Sequence, residues 1–86
     1  MFLRATLIAA VAAAALAGPA LADRAPTPDE RAAIEAKLTA LGFVAWDEIE
    51  LDDGTWEVDD ARTADGQEYD LDLAPGTLEV IRQDPD

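Results

Sequence analysis

The chain has 86 residues, with 6 Lys and Arg residues against 19 Asp and Glu residues, and a formal net charge of −13. It is too short for two domains of ordinary size, and its acidity argues against nucleic acid and anionic membrane surfaces, both of which attract Lys and Arg. The sequence contains no Cys, His, Ser or Asn, which excludes Ser, Cys and His nucleophile systems and zinc sites of the Cys/His type.

The first 22 residues have the pattern of a secretory signal peptide. Arg4 provides a positive amino-terminal region, and residues 5–17 form an apolar run rich in Ala. Gly18 and Pro19 end the run shortly before Ala22, so we predict cleavage after Ala22. A transmembrane helix is the alternative, but the run is short and no stop-transfer flank follows it. The mature chain is therefore expected to be periplasmic or secreted, without membrane contact after cleavage.

A helix is predicted to follow a short polar linker at residues 23–26. Thr27 is the expected N-cap, because Pro28 suits the first helical position and Glu30 completes a capping box. The helix carries one apolar stripe at helical spacing, formed by Ile34, Leu38 and Leu41. Gly42 is the residue type that commonly ends a helix.

Three dipeptides divide the following residues into short alternating strands. Asp53-Gly54 and Asp65-Gly66 are typical of two-residue hairpin turns, and Pro75-Gly76 suits a type II turn. If each turn is a two-residue loop, apolar residues face one another across the sheet. The predicted pairs are Ile49 with Val58, Leu51 with Trp56, Arg62 with Tyr69, Val58 with Leu73, Leu73 with Leu78, and Leu71 with Val80.

These elements predict an α+β domain over residues 27–82, preceded by the signal peptide. One N-terminal amphipathic helix packs on a three- to four-stranded antiparallel meander, because the apolar face of the sheet needs a cover. Residues 83–86 are expected to be a C-terminal tail.

Two residues do not fit this register. Asp60 falls on the apolar face opposite Leu71, and Trp46 does not match the alternation of Ile49 and Leu51. Either the first strand starts after Trp46 or a bulge lies near Asp47. Trp46 is a candidate anchor for a partner, although closure of the edge of a small core explains it more simply.

Four carboxylates form a row across the opposite face in the same register. They are Glu48, Asp59, Asp72 and Glu79. One interpretation is a solvated acidic face that keeps the domain soluble. The other is a low-affinity Ca²⁺ or Mg²⁺ site, because hard cations prefer oxygen ligands. No other cofactor and no catalytic residue is expected.

The order of these features resembles a small secreted PepSY domain, the peptidase propeptide and YpeB-type domain. The segments that carry the resemblance are Leu41–Phe43, Trp56–Val58, Ala64–Gly66, Tyr69–Leu73 and Pro75–Val80. The resemblance implies a non-catalytic module that binds or regulates a protein partner, with a peptidase outside the cytoplasm as the foremost example. The alternative is an acidic periplasmic protein that binds divalent cations.

Overall fold

The computed structural model describes residues 22–86, in which one helix precedes five antiparallel strands. The helix α1 spans Pro28–Ala40. The strands are β1 Phe43–Ala45, β2 Glu48–Asp52, β3 Thr55–Thr63, β4 Glu68–Leu73 and β5 Val80–Pro85. The prediction of an α+β domain is confirmed. The predicted signal peptide lies outside the described residues, apart from Ala22.

Helix α1 begins as its capping signals predict. The backbone N–H of Glu30 donates to Thr27 Oγ1 at 3.2 Å, and the backbone N–H of Thr27 donates to Glu30 Oε1 at 2.9 Å. Both bonds satisfy amide groups that the first helical turn leaves without partners. The helix ends at Ala40, and Gly42 reverses the chain after the C-cap residue Leu41. The φ of Gly42, 99°, lies in the region that glycine adopts without strain.

The predicted apolar stripe is correct at two of its three positions. Ile34 and Leu38 are buried, whereas Leu41 is 44% exposed. Leu41 is the C-cap of the helix, and the reversal at Gly42 carries Phe43 rather than Leu41 into the core. The remaining buried side chains come from the sheet and are Ile49, Leu51, Trp56, Val58, Ala61, Leu71 and Leu73. Helix and sheet therefore form the expected two layers.

The sheet contains five strands rather than three or four. Both β1 and β2 pair with the same side of β3, which pairs on its other side with β4, and β4 pairs with β5. The sheet is thus four strands wide, with a first strand that is interrupted at residues 46–47.

The first hairpin has the predicted register. Asp53 and Gly54 both have positive φ values, 53° and 85°, as a type I′ turn requires. Ile49 lies opposite Val58, and Leu51 lies opposite Trp56.

The second hairpin differs from the predicted register because its loop has three residues. The N–H of Gly66 donates to the carbonyl of Thr63, the N–H of Thr63 donates to the carbonyl of Gln67, and only Gly66 of the loop has a positive φ. This is the three-residue loop in which a type I turn is followed by a left-handed residue. Arg62 therefore lies opposite Glu68 instead of Tyr69.

A bulge in β3 and an interruption before β2 explain the two residues that did not fit the predicted register. Asp60 has a φ of 53° and lies between the paired positions Val58 and Ala61. The extra residue turns Asp60 away from the apolar face and returns Ala61 to it. Trp46 lies in the interruption between β1 and β2, so it does not follow the alternation of Ile49 and Leu51. The strand that carries Ile49 and Leu51 starts after Trp46, at Glu48, so the first of the two alternatives is correct. The register irregularities lie at residues 43–45 and 58–61 rather than at Asp47.

The third loop is longer than a two-residue turn. Residues 74–79 form it, and the N–H of Ala74 donates to the carbonyl of Glu79. Leu73 therefore lies opposite Val80 rather than Leu78. An irregularity between Leu73 and Asp72 leaves Ile81 without a paired residue in β4, so Leu71 lies opposite Gln83 rather than Val80. Strand β5 continues to Pro85, so residues 83–86, expected as a tail, largely belong to the sheet.

Candidate functional site

The outer face of the sheet is acidic, but its carboxylates are arranged differently from the prediction. Glu48 lies opposite Asp59, as expected, whereas Asp72 lies opposite Glu57. Glu79 lies in the exposed loop before β5. The four predicted ligands therefore do not form one row, because the bulge and the two longer loops shift the register between them. A Ca²⁺ or Mg²⁺ site built on these four residues loses its geometric basis.

Arg82 occupies the position that the prediction gave to Glu79. It lies opposite Asp72, and its Nε donates to Asp72 Oδ2 at 2.8 Å. A second nitrogen of the guanidinium contacts Asp84. Across the four strands the paired residues are Glu50, Glu57, Asp72 and Arg82, so this row ends on a cation.

One group of carboxylates lies at the β2–β3 end of the outer face. The side-chain oxygens of Glu50, Asp52 and Glu57 lie within 4.8 Å of one another. Burial, reinforced by neighbouring carboxylates, raises the pKa of both Glu50 and Glu57. The charge of Asp23 is the main cause of the raised pKa of Asp52. This face therefore carries a negative potential that a cationic group would relieve.

A second group lies where the bulge of β3 meets the end of β5. The side-chain oxygens of Asp60, Glu68 and Asp86 lie within 4.8 Å of one another. Hydrogen bonds that the protonated carboxyl of Asp60 donates to the side chains of Asp86 and Asp47 raise the pKa of Asp60 to about 7. Asp59, next to the bulge, also has a raised pKa, through partial burial and the charge of Asp70.

Trp46 lies against the core. It is half-buried, packs on the core cluster, and its Nε1 donates to Glu35 Oε2 at 3.4 Å. These contacts account for the tryptophan as the closure of the core edge beside α1, without a partner.

The edge of the sheet at β2 is covered by the segment that was predicted to be a linker. The N–H of Arg24 donates to the carbonyl of Leu51 at 3.1 Å, and the N–H of Leu51 donates to the carbonyl of Arg24 at 2.7 Å. The N–H of Asp53 also donates to Asp23 Oδ1 at 3.1 Å. Residues 23–24 are therefore fixed to the sheet, and they occupy backbone groups through which β2 could pair with another chain.

The side chain of Arg24 strengthens this attachment. Two of its nitrogens donate to the two carboxylate oxygens of Glu30 at 2.7 and 3.0 Å. Its guanidinium also lies 5.4 Å from the ring centroid of Trp56, within the range of a cation–π contact. Sequence analysis missed this residue because no local pattern relates Arg24 to a strand that begins 24 residues later.

The opposite edge, at β5, is open within residues 22–86. Strand β5 pairs only with β4 in the part of the chain that the structure describes. From Ile81 to Pro85 every residue is exposed, and Ile81 is 57% exposed. An open edge of this kind presents unpaired backbone groups to which an extended segment can bind. Of the features described here, it is the one best suited to contact another protein.

The family PepSY_2, described as peptidase propeptide and YPEB domain, matches residues 6–84 of the chain. Neither the curated proteins nor the solved structures contain a match. Among residues 22–86, no helix is long and apolar enough to cross a membrane.

Proposed function

The chain belongs to the peptidase propeptide and YPEB domain family, and from this premise we propose that it is a non-catalytic module that binds and regulates a peptidase outside the cytoplasm. Family membership is the observation that carries the proposal. The match extends over residues 6–84, so it includes the whole helix and all of the sheet except Pro85.

The residue types of the chain support a non-catalytic role. Without Ser, Cys or His, the chain lacks the usual protein nucleophiles and the usual general base of hydrolases. The groups with raised pKa, among them Asp59 and Asp60, lie on the outer face of a sheet rather than in a cleft. A regulatory module needs a stable surface instead, and a helix packed on a sheet provides one.

Action outside the cytoplasm is supported by the amino-terminal sequence. Residues 1–22 have the charge, apolar run and small residues of a signal peptide. Measurement of the intact mass of secreted protein tests this point. We expect a chain that begins at Asp23, and a mass that retains Met1 would contradict export by cleavage.

An inhibition assay tests the proposed regulation. The purified protein is titrated into secreted peptidases of the serine, cysteine, aspartic and metallo classes, each assayed with a fluorogenic peptide. We expect saturable slowing of at least one peptidase and no cleavage of any peptide by the protein alone. Failure to change the rate of any peptidase, or cleavage by the protein itself, would contradict the proposal.

A matched pair of variants controls this assay. Leu38→Asp places a charge at a fully buried position and should abolish the effect by unfolding the domain. Leu41→Asp makes the same change on the same helix at an exposed position, and it should leave the effect intact. Equal loss in both variants would show that the assay responds to charge rather than to the folded domain.

A further inference from the structure

The two edges of the sheet differ in their freedom to pair. At β2, the backbone groups of Leu51 already bond to Arg24. At β5, no strand among residues 22–86 pairs with the outer side. A segment that adds to this sheet therefore has β5 as its natural position.

The hydrogen bonds of β5 show which backbone groups point outward. The N–H of Asp86 donates to the carbonyl of Glu68 at 2.9 Å, and Asp84 and Arg82 follow at alternate positions opposite β4. In an antiparallel pair, alternate residues turn their N–H and C=O groups away from the neighbouring strand. Gln83 therefore presents both groups at the open edge, whereas Pro85 presents only a carbonyl.

The charge around this edge is strongly negative. The carboxylates of β4, of β5 and of the residue that follows are Glu68, Asp70, Asp72, Asp84 and Asp86. Arg82 is the only cation of these two strands, and Asp72 and Asp84 both contact it. The exposed side chain of Ile81 adds an apolar contact beside the same edge. A segment that alternates basic and apolar residues matches this combination of charge and surface.

We propose that β5 binds an extended, cationic segment of a partner protein, which joins the sheet as a further strand and bonds to the backbone of Gln83. The proposal rests on the proposed function in one respect, because the peptidase would be the protein that supplies the segment. A second copy of this chain fits less well, since each copy carries a net charge of −13 and like charges oppose association.

A titration with designed peptides tests the proposal. The probes are a short peptide in which lysine and valine alternate and a matched peptide in which glutamate replaces lysine. We expect the purified protein to bind the lysine peptide and not the glutamate peptide. Equal binding of both peptides, or binding of neither, would overturn the proposal.

Variants at Gln83 separate strand pairing from simple attraction to the acidic face. Gln83→Pro removes one outward N–H and retains the residues that bond to β4, and Pro85 already occupies the equivalent position two residues later. Affinity for the lysine peptide should fall about tenfold or more, the effect of one or more lost hydrogen bonds. Gln83→Ala keeps the N–H and should bind normally. Equal affinity of the two variants would overturn the proposal.

A second pair of variants serves if Gln83→Pro does not fold. Gln83→Lys and Gln83→Glu both retain the backbone N–H, and they change the local charge in opposite directions. The lysine variant should bind the lysine peptide more weakly than the glutamate variant. The reverse order, or no difference, would show that the peptide binds elsewhere.

The outcomes distinguish this inference from the proposed function. If a peptidase is slowed by the protein and equally by Gln83→Pro, the family role holds and the β5 site is wrong. If the lysine peptide binds at β5 but no peptidase is affected, the surface is correct and its partner is a different cationic protein.

Discussion

The carboxyl group of Asp60 lies within 4.8 Å of that of Asp86, at the point where the bulge of β3 meets the end of β5. Two like charges at this distance repel each other. Hydrogen bonds from protonated Asp60 to the side chains of Asp86 and Asp47, together with the charges of these two groups, raise the pKa of Asp60 to about 7. The bulge that removes Asp60 from the core thus places it among other acids.

Replacement of Asp60 by Asn should stabilise the protein at pH 8 but not at pH 4. The pKa of Asp60 rises from its ordinary value of 3.8 to about 7 on folding, so the folded state binds the proton more tightly. The stability of the wild type should therefore fall as the pH rises from about 4 to about 7, and Asn removes this loss. The melting temperatures of the variant and the wild type at pH 4 and pH 8 measure this difference in stability.

Asp53→Asn is the matched control for this prediction. Asp53 has the same φ of 53°, and Asn tolerates that conformation. If Asp60→Asn raised the melting temperature equally at pH 4 and pH 8, ionisation of Asp60 would not be the cause of the gain.

Replacement of Arg24 by Ala should lower the melting temperature at pH 7, with a smaller effect near pH 2. The hydrogen bond from Arg24 is the main cause that lowers the pKa of Glu30 from 4.5 to about 2. The ion pair therefore stabilises the folded protein fully above about pH 4.5, and this stabilisation is lost as the pH falls through about 2. Arg31→Ala is the control, because Arg31 lies 3.7 Å from Glu35 on the exposed helix surface. An equal effect of both variants would contradict a contribution of the Arg24 side chain beyond that of an ordinary surface ion pair.

Replacement of Leu38 by Ala should cost about 2–5 kcal/mol of unfolding free energy, because the side chain is fully buried. Leu41→Ala makes the same change at a position that is 44% exposed, where about 0.5 kcal/mol or less is expected. Urea denaturation of both variants measures the difference. Similar costs at the two positions would contradict the packing of α1 on the sheet.

Replacement of Asp59 by Lys should raise the melting temperature at low salt. Asp59 lies opposite Glu48, and the charge of Asp70 contributes to its raised pKa. Two repulsions become attractions, with a gain of about 0.5–2 kcal/mol. High salt should reduce the gain. Glu79→Lys changes the net charge equally in an exposed loop, so an equal gain there would indicate a general charge effect.

The helix and the first hairpin could be predicted from the sequence because their signals are local. The capping box places Thr27 and Glu30 three residues apart, and a type I′ turn needs only Asp53 and Gly54. The same dipeptide at Asp65-Gly66 gave a different loop. Here the turn begins one residue earlier, at Thr63, and only Gly66 takes a positive φ.

The outer face could not be predicted because each loop and bulge moves every later pair. A two-residue loop at Pro75-Gly76 would place Glu79 opposite Asp72, whereas the six-residue loop and the irregularity that leaves Ile81 without a partner in β4 place Arg82 there. The position of Asp60 on an apolar face was the sequence signal for the bulge. The attachment of Arg24 to β2 had no such signal, because it is a contact between distant segments.

Amide hydrogen exchange at Gln83 tests whether a partner strand pairs with β5. The purified protein is measured by NMR alone and with a saturating amount of the lysine–valine peptide, saturation being verified from chemical shifts. We expect exchange at Gln83 to slow about tenfold or more, while exchange at Leu51, whose amide already bonds to Arg24, changes little. Unchanged exchange at Gln83 in the saturated complex would contradict strand addition at β5.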